Sequence, residues 1–137
     1  MFKRKKTIGL TELVRIKGKK KEVLKRALCD TGATRTTVDV RVAAKAGLGP
    51  IISSVRIKSS SAPKGYVRRA IAEATIVIKG RKIKTGVGIE DRSGLPYAVL
   101  IGRDIIHNNF VVDISKTHES NKIADFKGKK EEKQAAQ

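Results

Sequence analysis

Aromatic residues are nearly missing from this chain of 137 residues, which has no Trp, two Tyr and three Phe. Proteins that stack single-stranded bases rely on such rings, so the chain makes a poor stacking platform. One cysteine, Cys29, excludes an intrachain disulfide and agrees with a reducing compartment. It also excludes zinc sites built on cysteine pairs. His107 and His118 lack any metal-ligand spacing, so neither a metal nor another cofactor is expected. No apolar run approaches the roughly 20 residues of a membrane span. No apolar signal segment follows the basic opening MFKRKK. The expectation is a cytoplasmic protein with no membrane partner. Asn occurs only at 108, 109 and 121 and Gln only at 134 and 137, a scarcity of thermolabile residues common in thermophile proteins.

Positive charge is what the chain has in excess. Lys and Arg number 31 against 13 Asp and Glu, a formal net charge of +18. Residues 1–26 hold 11 basic and 2 acidic residues, residues 27–113 hold 14 and 7, and residues 114–137 hold 6 and 4. Such an excess invites a nucleic-acid reading, because Lys and Arg neutralise phosphates and release counterions. The reading is not favoured, since neither zinc-ligand spacing nor a helix-turn-helix pattern accompanies it. Charge alone speaks to solubility and nonspecific contact rather than to fold. A length of 137 residues suits one domain.

The patterning is mainly β. Residues 1–7 read as a flexible basic arm. TELVRIKGKKKEVLKRALCD reads as two strands joined at a Gly-Lys turn, with Val14 and Ile16 alternating with charges, and Leu24, Arg26 and Leu28 sharing a face. TVDVRVAAKAGLG places Val38, Val42 and Ala46 at helical spacing, with Gly47 or Gly49 to end the helix. VRIKSSSAPKGYVRRA reads as a hairpin with a small, exposed tip. A second hairpin turns at Lys79-Gly80-Arg81, and DRSGLP is a loop. YAVLIG, apolar throughout, fits a strand buried on both faces. RDIIHNN is a short helix and FVVDIS a last strand. From residue 116 to 137 the chain is charged and poor in apolar residues, the composition of a disordered tail.

Two motifs stand out against this background. ALCDTGAT sets a carboxylate, Asp30, directly after apolar residues and before a tight, small-residue turn. VLIGRDII ends an apolar strand in a glycine. With the small-tipped hairpin between them, they resemble the retroviral-type aspartic peptidases (the retropepsin family), especially small stand-alone prokaryotic members. That family has an Asp-Thr/Ser-Gly-Ala loop and a second strand of two apolar residues and a Gly, often continued by Gly-Arg and Asn or Asp. The resemblance implies a closed retropepsin-like β-barrel over residues 8–115, with one or two short helices, active as a homodimer. Aspartic peptidases use two carboxylates that share one proton. This chain has one Asp-Thr-Gly, so the second Asp30 is expected from an identical partner across a two-fold axis.

The resemblance also implies roles. Asp30 is the catalytic carboxylate. Thr31 bridges to the partner's loop, Gly32 permits close backbone approach, and Ala33 lines the cleft. Ala33 offers no hydroxyl to the carboxylates, so activity is expected to peak at weakly acidic pH. Thr37 and Leu100 wall the substrate subsites, and the tip at Ala62, Pro63, Lys64 and Gly65 is the flap over a peptide substrate. Gly102 lets the second strand pass behind the loop, and Arg103 supports the structure there. Viral members often pair that Arg with an acidic residue at positions held here by Thr34 or Arg35, so Asp39 or a carbonyl is expected to substitute. Two rival readings remain at this point. One is a catalytically idle module of the same fold. The other is a basic nucleic-acid-binding β protein acting through its arm.

Overall fold

The computed structural model describes residues 4–117. The expected tail from residue 118 lies outside them. Nine strands and two helices follow in order: β1 (Lys6–Gly9), β2 (Thr11–Lys17), β3 (Glu22–Cys29), β4 (Thr37–Asp39), α1 (Val40–Ala46), β5 (Ile51–Lys58), β6 (Tyr66–Ile78), β7 (Arg81–Glu90), β8 (Val99–Ile101), α2 (Arg103–Ile106) and β9 (Phe110–Asp113). Six strands run β2-β3-β8-β4-β7-β6, and β6 pairs back onto β2, so the sheet closes into a barrel. Closure removes the exposed edges that an open sheet must protect. Strand β5 lies outside the ring, paired with β6 alone.

Local chemistry accounts for the hairpins. Strands β6 and β7 meet at Lys79 and Gly80, both at positive φ (51° and 78°), the geometry of a tight two-residue turn. The two expected hairpins share one strand, since β6 runs unbroken for 13 residues and pairs with β5, β7 and β2. Its inner half carries Ala74, Ile76 and Ile78 into the core, whereas β5 and the outer half of β6 form a largely exposed ribbon.

Two expectations need correcting. Val38 is strand, not helix. It lies in β4, paired with Val99 and Ile89, and α1 starts only after Asp39 caps it by accepting from the Arg41 N–H. The helical spacing of Val38, Val42 and Ala46 arose because strand and helix both turn those residues inward. In β3, Leu24, Arg26 and Leu28 share a face as expected, and the core takes the opposite one, with Val23, Ala27 and Cys29. Barrel closure, not hydrophobicity of the alternate set, selects the face. Lys6 and Thr7, expected in the arm, already belong to β1. There β1 runs parallel to β9, and the Lys6 ammonium donates to the Lys79 carbonyl at 2.8 Å.

Candidate active site

The Asp30 loop is held where two remote strands end side by side. Strands β3 and β8 run parallel, with Cys29 opposite Ile101. At the exit of β3 the Asp30 N–H donates to the Ile101 carbonyl at 2.8 Å. The chain then turns: the Ala33 N–H donates to the Asp30 carbonyl at 3.1 Å, and the Gly32 N–H to Asp30 Oδ1 at 2.8 Å. A Cβ on Gly32 would sit 3.1 Å from that carboxylate oxygen, so glycine keeps the loop close to its own acid. Thr31 and Gly32 are exposed, and Asp30 is half-buried.

Behind the loop the packing is tight. The Arg103 N–H donates to the Ala33 carbonyl at 2.8 Å. A Cβ on Gly102 would lie 2.7 Å from the Arg35 carbonyl carbon and 3.0 Å from the Ala33 oxygen, both backbone atoms that have no room to yield. The Arg103 guanidinium donates to the Thr31 carbonyl at 2.9 Å and to Thr34 Oγ1 at 3.0 Å. Of the two expected substitutes for an acidic partner, the carbonyl is the one used. Asp39 is committed elsewhere, to Arg41 and the Arg92 N–H.

Thr36 and Asp104 had no role in the sequence reading, yet they join the two motifs. The buried Thr36 hydroxyl donates to Asp104 Oδ1 at 2.7 Å and accepts from the Gly102 N–H at 3.0 Å. The same carboxylate oxygen accepts from the Thr36 N–H at 3.0 Å. A signal was present in Asp104, an acid directly after Gly-Arg in a basic chain, but its partner lies 68 residues away. Cys29 is buried in the core, and that burial, helped by the nearby Glu12 charge, pushes its thiol up to about 12, away from the range of reactive thiolates.

Of the expected subsite residues, the structure brings Ala33, Thr37 and Leu100 to the wall of one hollow, with Val55 and Ile57 of β5 opposite. The tip residues Ala62, Pro63, Lys64 and Gly65 do not line it; they close the end of the β5–β6 ribbon, where the Ser59 N–H donates to the Gly65 carbonyl. A second hollow, of about 550 Å³, runs from Thr31 and Arg103 to His107 and Phe110, on the side of the loop towards β9.

No family model and no curated protein matches the sequence. Solved structures do match. The EIAV protease, complexed with an inhibitor, aligns over 72% of this chain and 85% of its own, with a TM-score of 0.56 and 26% identity. The fold is retropepsin-like. A protein of unknown function from Legionella pneumophila subsp. pneumophila str. Philadelphia 1 aligns over 83% of this chain and 97% of its own, with a TM-score of 0.57 at 17% identity. At that identity the likeness speaks to the fold alone. Among the described residues, no helix is long and apolar enough to cross a membrane.

Proposed function

We propose that this protein is a homodimeric aspartic endopeptidase whose site forms when two Asp30 loops meet across a two-fold axis. One observation carries the reading: the lone Asp-Thr-Gly carboxylate stands on an exposed loop in a retropepsin-like barrel, and among the described residues its side chain is bonded only to its own Gly32 N–H. A carboxylate kept merely for stability would be paired with one of the abundant cations. Beyond the loop, among the described residues β9 pairs with β1 alone, and Val111 and Ile114 are exposed apolar residues there. Covering them with a second copy would take apolar surface out of water, which supports association on that side. The peptidase unit spans residues 8–115, with Lys6 and Thr7 contributing to its terminal strand pair.

In the dimer the two carboxylates share one proton, because like charges that close do not both ionise. A water between them loses a proton to the ionised carboxylate and attacks the scissile carbonyl carbon. The protonated carboxyl gives its proton to the carbonyl oxygen. Collapse of the tetrahedral intermediate passes a proton to the leaving nitrogen and breaks the C–N bond, restoring the shared proton. The β5–β6 ribbon lies over the hollow beside Ala33 and would cover an extended peptide. The test is hydrolysis of a peptide library against protein concentration, with sedimentation mass measured alongside. Specific activity falls steeply as the dimer dissociates, and a fully active monomer would refute the proposal. An idle barrel would show the dimer without hydrolysis.

A further inference from the structure

The hollow beside the Asp30 loop has about 410 Å³ of space, enough for one long side chain. Its apolar wall, including Ala33, Ile57 and Leu100, is interrupted by Arg35, Arg69, Glu90 and Thr37. Glu90 is already committed, accepting from Arg69 Nη2 at 2.5 Å and Arg92 Nη1 at 2.6 Å. Two guanidiniums, Arg35 and Arg69, and one carboxylate, Glu90, line the hollow, so its lining carries a net positive charge. Among the described residues, the Arg35 side chain makes a single long hydrogen bond, to the Gly86 carbonyl at 3.4 Å, which leaves most of its donor fork open. Thr37 is 3% exposed, yet among the same residues its hydroxyl has no hydrogen-bond partner. A buried hydroxyl without a partner is costly and calls for a ligand or a water. An open guanidinium and an orphaned hydroxyl thus occur on the same wall.

We propose that this hollow is a specificity subsite for an acidic side chain, with the carboxylate bound by Arg35 and the Thr37 hydroxyl, so that the substrate is an acidic peptide. The proposal rests on the peptidase reading and names its substrate class. Arginine binds carboxylates through paired, charge-assisted hydrogen bonds, which a neutral amide reproduces only in part. A glutamate can lay its methylenes against Ile57 and Leu100 while its charge meets Arg35. A lysine there would face two like charges, Arg35 and Arg69.

The test separates binding from cleavage. The full-length Asp30→Asn chain is titrated with acetylated octapeptides in which one position at a time is Glu, Gln or Lys. At one position Glu binds about tenfold more tightly than Gln, the size of a charge-assisted hydrogen bond, and Lys binds most weakly. Adding Arg35→Gln removes the Glu–Gln difference, and Arg35→Glu reverses the order. Thr37→Val narrows the difference without lowering the unfolding midpoint. Equal binding of Glu and Gln at every position, or a preference that survives both Arg35 substitutions, overturns the subsite. Cleavage by the natural chain is scored separately. Acidic selectivity without cleavage upholds the subsite and sinks the peptidase, whereas cleavage without acidic selectivity does the reverse.

Discussion

Asp30 and Asp39 lie nine residues apart and are treated in opposite ways. Asp39 is 4% exposed and fully bonded. Its Oδ1 accepts from Arg41 Nη2 at 2.7 Å and from the Arg92 N–H at 2.7 Å, and its Oδ2 from the Arg41 N–H and Nε at 3.0 and 2.9 Å. Asp30 sits on an open loop with one hydrogen bond from its own turn. Such a contrast is informative in a chain with so many cations to spare. The structural carboxylate is saturated with donors, while the one proposed to meet a second copy is left uncovered. Neighbouring threonines repeat the lesson. Thr36, 0% exposed, has its hydroxyl bonded on both sides, whereas Thr37 has none.

The comparison is sharpest under paired substitution. Asp30→Asn is expected to cut peptide hydrolysis by at least about 10³-fold, since one acid/base group alone is typically worth 10²–10⁴. The same change should leave the unfolding free energy from urea melts within about 0.5 kcal/mol, because among the described residues the carboxylate makes no ion pair and its one hydrogen bond, from the Gly32 N–H, can be kept by an amide oxygen. Retention of most hydrolysis would sink the catalytic assignment. Asp39→Asn should do the opposite, costing about 2 kcal/mol of stability through its lost charged hydrogen bonds, with hydrolysis per folded chain little changed. Equal stability losses for the two variants would break the contrast.

Thr36→Val should cost about 1–2 kcal/mol, because the Gly102 N–H and Asp104 are left short of a partner. Thr37→Val keeps the shape and removes an unbonded hydroxyl, so its unfolding free energy should be unchanged or a few tenths of a kcal/mol higher. If denaturant melts show the two threonines costing the same, the hydroxyl of Thr37 has a structural partner.

The smallest effect is one of pH. The Arg41 side chain, with the Arg92 and Arg41 N–H groups, holds the Asp39 carboxyl well below its ordinary value, outweighing burial. A depressed carboxyl stabilises the fold above its unfolded value of about 3.9, and that contribution is lost as pH falls through the folded value. The gap between the natural chain and Asp39→Asn should stay constant from about pH 7 to 5, then narrow below about pH 4. Melts at pH 7, 5 and 3 check this, and a gap that widens in acid contradicts it. Asp39 therefore keeps its full contribution at the weakly acidic pH expected for hydrolysis.

Much of the architecture was readable from local chemistry. The Lys79-Gly80 turn, the glycine end of α1 at Gly47 (φ 75°) and the Asp30 turn depend on residues a few positions apart, so composition suffices to specify them. The two motifs were visible for the same reason. What the sequence could not determine was pairing at a distance. Strands β4 and β8 are three residues each, too short for any periodicity, and β4 was hidden inside a helical spacing. Their places follow from barrel closure, which sets β8 between β3 and β4 and turns the Val23 face of β3 inward. The bond from Thr36 to Asp104, and the gathering of Arg35, Thr37, Arg69 and Glu90 around one hollow, arise only when segments far apart in the chain are brought together. Residue types and turns were decided locally. Which polar groups are satisfied, and which are left open for a ligand, was decided by tertiary structure, because a donor or acceptor is spent only when its partner comes within about 3 Å.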